Sequence, residues 1–229
     1  MNKDELQFSS LSLSEMIEED SDFFPLLSQE DEDKIDKEET PKVLPLLPLR
    51  NTVLFPGVII PITIGRDRSI KLVKDTYKGN RTIGVLAQKD PTIEIPEIKD
   101  LHNIGTVAHI LKMLRMPDGN ITAIIQGRKR FEIEEFIQAE PYFKAKINRL
   151  DENRPDKNDK EFGAIVDSVK DLALQIIDES PNIPSEATLA IKNIESPSFV
   201  INFVASNMNI SLDDKQSLLE EIDLKVRAN

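Results

Sequence analysis

The chain has 229 residues and no cysteine, which excludes disulfides, thiolate nucleophiles and cysteine-based zinc sites together. With 39% hydrophobic residues, 5% aromatics and no tryptophan it can bury a core, but an aliphatic one that offers little for stacking bases or sugars. The net charge of −12 is unevenly placed: residues 1–40 hold 14 acidic and 3 basic side chains, while the other 27 acidic and 26 basic side chains nearly cancel, so the body lacks the bulk field of a nucleic-acid binder.

Residues 1–40 are predicted to be a disordered acidic tail, because self-repulsion and sparse apolar content oppose folding. Two apolar islands in it, Leu11–Ile17 and Phe23–Leu27, are candidate docking segments, although a purely solubilising tail has the same composition. The N-terminus lacks the basic-then-apolar order of a secretion signal and is the opposite of an Arg-rich mitochondrial presequence. No run of about 18 apolar residues escapes prolines and charges, so no membrane span is expected and the cytoplasm is the expected compartment.

From residue 41 to 150 the sequence reads as a β-rich lobe with one helix. Val43–Leu47, Val53–Phe55 and Val58–Ile64 are predicted strands, with Pro48, Pro56 and Pro61 marking edges, bends and strand starts. Asp67 or Ser69 is placed to cap a helix carrying Ile70, Val73 and Tyr77 on one face, with Gly79 as its stop. Thr82–Gln88 is the next strand and 91–101 a polar loop. Gly105–Met116 and Ile121–Gln126 form a hairpin around Pro117-Asp118-Gly119-Asn120, whose residues suit a tight turn. Arg130–Ile137 and Tyr142–Arg149 are further strands, and so many short strands predict a barrel or folded-over sheet.

Beyond a polar linker at Asp151–Pro155 the apolar period changes from two to 3.6, predicting a helical bundle over 151–229. Phe162, Ile165, Val166, Val169, Leu172, Ala173, Ile176 and Ile177 trace one face of a long helix that Pro181 and Pro184 end. Ala187–Ile194 is a second helix, Ser196-Pro197 caps and opens a third ending near Asn207, and Ser211 with Asp214 opens a fourth. That fourth helix reaches Asn229 without a stop signal, from which the chain is expected to be part of a longer protein.

Enzymatic signatures are thin: there is no GxxxxGK[ST] loop, GxSxG elbow or HExxH, and the only histidines are His102 and His109. Catalytic, cofactor and metal sites are therefore not expected. The run Arg128-Lys129-Arg130 is the best nucleic-acid candidate, yet only Phe131 accompanies it and alternation assigns that ring to the core, so a solvated strand end is preferred. The hairpin tip Met113, Leu114, Met116 and Pro117 is apolar on two faces, and methionine adapts to varied apolar partners, which makes it a candidate binding surface unless the fold covers both faces.

Several segments together, LPLLPLRNTVLFPGVIIPITIGRDRSI, Ile104–Ile110, LKMLRMPDGNITAIIQGRKRF and SLDDKQSLLE, resemble the N-terminal region of bacterial Lon ATP-dependent proteases, from about Leu44 onward. The resemblance implies an α+β architecture, a PUA-like pseudo-barrel with one helix followed by an all-α bundle. It implies recognition of unfolded or degron-bearing proteins for an ATPase ring and a serine–lysine protease, with ATP and Mg held in modules outside these residues and a homohexameric parent. It further implies substrate contact at Arg66, Asp67 and Arg68. The alternative is a stand-alone PUA-like module that binds RNA or a small ligand.

Overall fold

Proline placement decides how the apolar run from Val43 to Ile64 folds. In the computed structural model, which describes residues 29–116, 120–156, 158–179 and 191–229, that run gives two strands and a tight turn rather than three strands. Strand β1 (Val43–Leu49) is antiparallel to Lys144–Lys146 through Val43–Pro45 and parallel to Gly84–Ala87 through Leu46–Leu49. Leu46 N–H donates to Phe143 O, so alternate residues face that side, and Pro48 reaches it only after the antiparallel ladder has ended. Pro45 faces the other side just before the parallel ladder starts. Neither missing N–H falls where a ladder needs it.

Strand β2 (Ile59–Ile64) lies at the sheet edge, where proline is tolerated; Gly127 N–H donates to Val58 O, which puts Pro61 on the open side. Pro56 and Gly57 (φ 83°) form a turn closed by Val58 N–H to Phe55 O. The expected strand Val53–Phe55 is instead irregular chain, buried against the helical lobe.

The rest of the barrel follows from one long strand. After helix α1 (Gln29–Lys37), helix α2 (Asp67–Tyr77), β3 (Thr82–Ala87) and β4 (Ile104–Arg115), strand β5 runs unbroken from Ile121 to Gln138. Two strands were expected here; a bulge at Arg128 absorbs the basic run and pairing with β4 continues through it. The first half of β5 also pairs with β2, and its second half pairs with β6 (Lys144–Leu150). The order β2-β5-β4-β3-β1-β6, with β6 returning to β5, closes the sheet. Two hydrophobic clusters cover its opposite faces, as alternation along β1 requires of the neighbours Leu46 and Leu47: one around Leu47, Ile110, Ile125 and Val73 of α2, and one around Leu46, Leu86, Phe131 and Ala145. The backbone is so close at Gly127 that a Cβ there would stand 2.2 Å from Phe55 O.

The helical lobe comprises α3 (Lys160–Glu179), α4 (Pro197–Asn207), α5 (Leu212–Glu220) and α6 (Leu224–Ala228). Ser196 caps α4 ahead of Pro197, and Ser211 caps α5, as their sequence signatures predict. On α3, Phe162 and Val166 are buried but Leu172 faces outward, its expected place taken by Leu174. The expected single C-terminal helix is two, because Asp223 accepts from the Lys225 and Val226 N–H groups and starts a new one. Pro181, Pro184 and most of Ala187–Ile194 lie outside the described residues, as do Leu11–Ile17 and Phe23–Leu27. The lobes meet through Val53, Phe55, Val58 and Ala87 of the barrel and Ala205 and Leu219 of the helices. The whole is an α+β fold, barrel first and helices second.

Residues 29–37 lie within the stretch expected to be disordered, yet they form α1. The helix is held by partners that its own sequence does not reveal: Ile35 is buried, and Glu32 and Asp36 meet Arg154 at 2.8 and 3.1 Å. Among the described residues no helix is long and apolar enough to cross a membrane.

Candidate functional site

The two candidate binding segments, far apart in sequence, meet at one end of the barrel. Ile64 pairs with Ile121, and Ile121 also pairs with Arg115 on the opposite edge of β5. The chain leaving β2 through Gly65-Arg66-Asp67-Arg68 therefore emerges beside the β4–β5 hairpin tip. Their contact is close: a Cβ at Gly65 would lie 3.0 Å from Asn120 Oδ1.

Each arginine at this rim has a separate task. Arg66 is the N-cap of α2 but makes no side-chain cap; neither Asp67 nor Ser69 serves as the cap either, since the helix already begins at Asp67. Asp67 is exposed in the first turn, where its charge suits the helix dipole. Arg66 turns inward, donating to Gln88 Oε1 at 2.7 Å and to Ile93 O at 3.4 Å. Buried Gln88 donates to Ile93 O at 3.0 Å in turn, so the pair fixes the loop after β3. Burial first, and nearby Arg50 second, lower the Arg66 pKa below the ordinary guanidinium value. Arg68 instead stays exposed and pairs with Glu140.

Between these elements opens a cleft of about 360 Å³, walled by Pro48, Leu72, Ile95, Pro96, Tyr142 and Phe143, with Arg66, Asp67 and Arg68 along its lip. Ile95 is 73% exposed, a large apolar side chain held in water by a loop that Arg66 and Gln88 anchor. A second groove of about 400 Å³ runs alongside, between Pro48 of β1 and Pro61 of β2. The sequence assigns Ile95 and Pro96 to a polar loop, and the structure makes them walls of the cleft. The signal was the spacing of Ile93, Ile95 and Ile98 inside a segment that forms no strand.

At the hairpin tip, Met113 is partly buried against the barrel core and Leu114 is half-buried. Met116 is 37% exposed, and its N–H donates to Asn120 O at 3.0 Å. Pro117 lies outside the described residues. Of the apolar tip, Met116 is thus the described side chain most open to a partner.

The basic run has an internal role. Arg130 is 3% exposed and spans the lobe boundary, donating to Leu219 O at 2.9 Å, Glu152 Oε1 at 3.0 Å and Asn202 Oδ1 at 3.0 Å. Arg227 meets the same Glu152 and Asn202 from the other side, at 2.9 and 2.8 Å. Asn202 then donates to Pro56 O at 3.2 Å. Burial first and Arg227 second push the Arg130 guanidinium down to about 10, still cationic at neutral pH. Burial would push the Glu152 carboxyl up, but Arg130, Ser198 and Arg227 outweigh it and hold it below the usual carboxylate value. Glu152, read from sequence as part of a polar linker, is the hub of this network. Lys129 points to carbonyls at the end of α1, and Arg128 pairs with Glu38 at 3.7 Å. His109 sits half-buried on β4 and His102 lies 3.9 Å from Glu220, each with its pKa lowered chiefly by burial. Among the described residues no cluster of three or more His, Asp or Glu side chains could hold a metal ion.

Residues 43–229 match the family described as the ATP-dependent protease La (LON) substrate-binding domain. The chain is 59% identical to a Lon protease of Flavobacterium johnsoniae over 97% of its own length and 27% of that protein's. It is 52% identical to a Lon protease of Cytophaga hutchinsonii over 90% of its own length and 26% of that protein's, so it spans about a quarter of these relatives. Its fold is similar to the N-terminal domain of a Mycobacterium avium complex Lon protease, with a TM-score of 0.65 at 20% identity, covering 82% of this chain and 94% of that one. A Lon N-terminal domain protein from Xanthomonas campestris is similar at a TM-score of 0.60 and 20% identity, with 82% and 95% covered. The chain belongs to the Lon protease substrate-binding domain family.

Proposed function

We propose that the chain captures unfolded or degron-bearing protein and presents it to the ATPase and serine–lysine protease modules of a cytoplasmic, homohexameric Lon protease. The chain itself performs no chemistry in this reading, and ATP and Mg belong to the ATPase module. The observation that carries the reading is the cleft at the rim: apolar walls, an outward Ile95, and Arg66, Asp67 and Arg68 on the lip. Fixed aliphatic and aromatic walls suit side chains that a folded protein would hide, and polar groups at the lip can hold the peptide around them. Binding at one such site is weak, on the order of micromolar Kd, and gains strength from several copies in one assembly.

The test is fluorescence anisotropy of labelled, unfolded casein against the purified chain. Ile95→Asp should weaken binding about ten-fold, roughly the loss of one buried aliphatic contact, and leave the melting temperature unchanged. Arg66→Glu combined with Arg68→Glu should weaken it as well. Unchanged affinity in both would remove the rim from the mechanism. The rival reading, RNA binding, depends on Arg128, Lys129 and Arg130, whose cations are already engaged within the fold. Binding of RNA with a steep dependence on salt would revive it.

A further inference from the structure

The acidic helix α1 occupies a seam with its own recognition chemistry. The seam lies between β5, β6, the linker and α4, and five cations, Arg128, Lys129, Arg130, Arg149 and Arg154, line it against two carboxylates, Asp151 and Glu152. α1 has the sequence QEDEDKIDK, in which acids outnumber bases. Its contacts are of three kinds. Glu32 and Asp36, one turn apart, both pair with Arg154. Ile35, 5% exposed, fills the apolar position between them. Lys129 Nζ donates to the carbonyls of Asp36 and Glu38, and Arg149 reaches Asp36 O at 3.3 Å, so cations meet the negative end of the helix dipole.

This arrangement reads a pattern: an acid, an aliphatic three residues later, an acid at the fourth position, and then a helix end. The occupant fills the seam incompletely, since about 260 Å³ of cavity remains between Ile35, Pro56, Phe199 and Asn202. Both acids converge on one arginine, Arg154, that is 41% exposed, and partly exposed ion pairs contribute little, so the helix is held weakly enough to open. We propose that the seam is a receptor for an acidic amphipathic helix, which residues 29–37 fill in cis and which a protein helix of the same spacing fills in trans once α1 swings away. The helix of this chain then acts as a competitor, present at the millimolar effective concentration of a tethered ligand.

The experiment uses the full 229-residue chain and a fluorescein-labelled peptide of residues 29–40, followed by anisotropy. Wild type should bind the peptide poorly, because its seam is filled. Ile35→Asp and Glu32→Lys, which each loosen the resident helix, should bind it at least about ten-fold more tightly, the gain expected from removing a tethered competitor. Adding Arg154→Glu should return binding to the wild-type level. A peptide carrying Ile35→Asp, or a scrambled peptide of equal composition, should not bind. The proposal is overturned if neither loosened variant gains affinity; Glu32→Lys breaks one ion pair to Arg154 and leaves the apolar plug Ile35 in place, and serves where Ile35→Asp unfolds. It is overturned equally if the scrambled peptide or a single-stranded oligonucleotide binds the loosened variants as well as the peptide does, which leaves a non-selective cationic patch.

Discussion

The molecule carries two short arginine-bearing segments with opposite fates. Arg130 is withdrawn into the lobe boundary with every donor direction it uses aimed at a named acceptor, whereas Arg68 stands in water beside Glu140. Both look alike in sequence, as basic residues next to an apolar strand. What separates them is position along β5 and β2: the bulge at Arg128 turns the first segment toward the helices, and the end of β2 delivers the second to open solvent. Charge in a sequence thus states a capacity, and the fold decides whether it joins lobes inside or stays in solvent outside.

The largest break in this contrast should come from Arg130→Ala. It strips Glu152 and Asn202 of a partner while leaving Arg227 buried, and the expected loss is about 3–5 kcal/mol, read by urea unfolding. Gly127→Ala attacks the same region through the backbone. A Cβ 2.2 Å from Phe55 O must move either β5 or the irregular chain at Phe55, at a cost of about 1–3 kcal/mol.

A third test uses pH. Glu152 has a folded-state pKa below its ordinary value of 4.5, so its contribution to stability is present above about pH 4.5 and is lost as pH falls through the folded value. Glu152→Gln should therefore lower stability at neutral pH and flatten the acid limb of the stability profile. Glu32 works in the opposite sense. Burial first raises its pKa, so its contribution is greatest at low pH and is lost as pH rises through the raised value. The smallest effect belongs to the rim: Arg68→Ala removes an exposed pair, with side chains 47% and 67% exposed, and should change stability by less than about 1 kcal/mol. A large loss there would erase the distinction between the two segments.

Much of this was legible in the sequence because local chemistry decided it. Ser196-Pro197 and Ser211 place their helices by capping, and the β4–β5 hairpin follows from alternation on either side of a turn. What escaped was set by partners distant in sequence. Nothing near Gln29–Lys37 reveals that Arg154 and Lys129 wait for it, and nothing near Glu152 reveals Arg227. The fusion of two expected strands into β5 escaped for a related reason, since a bulge leaves the pairing intact while disturbing the alternation on which the eye relies. The candidate site was half legible. Arg66–Arg68 and the methionine tip were each suspected, but their convergence depends on register, and Ile95 depends on a loop held by Arg66 and Gln88.

The closure of the barrel also sets an order of events in synthesis. β4 and β5 are neighbours in the chain and can pair as soon as both have left the ribosome. β1 precedes them, yet its antiparallel partner is β6, and Val43 pairs with Lys146. Such distant pairing forms late, because the long intervening loop must be closed before any contact repays it. A nascent chain arrested before β6 therefore exposes one edge of a leucine-rich strand, and Pro48, which faces that edge, blunts it against pairing with other chains while it waits.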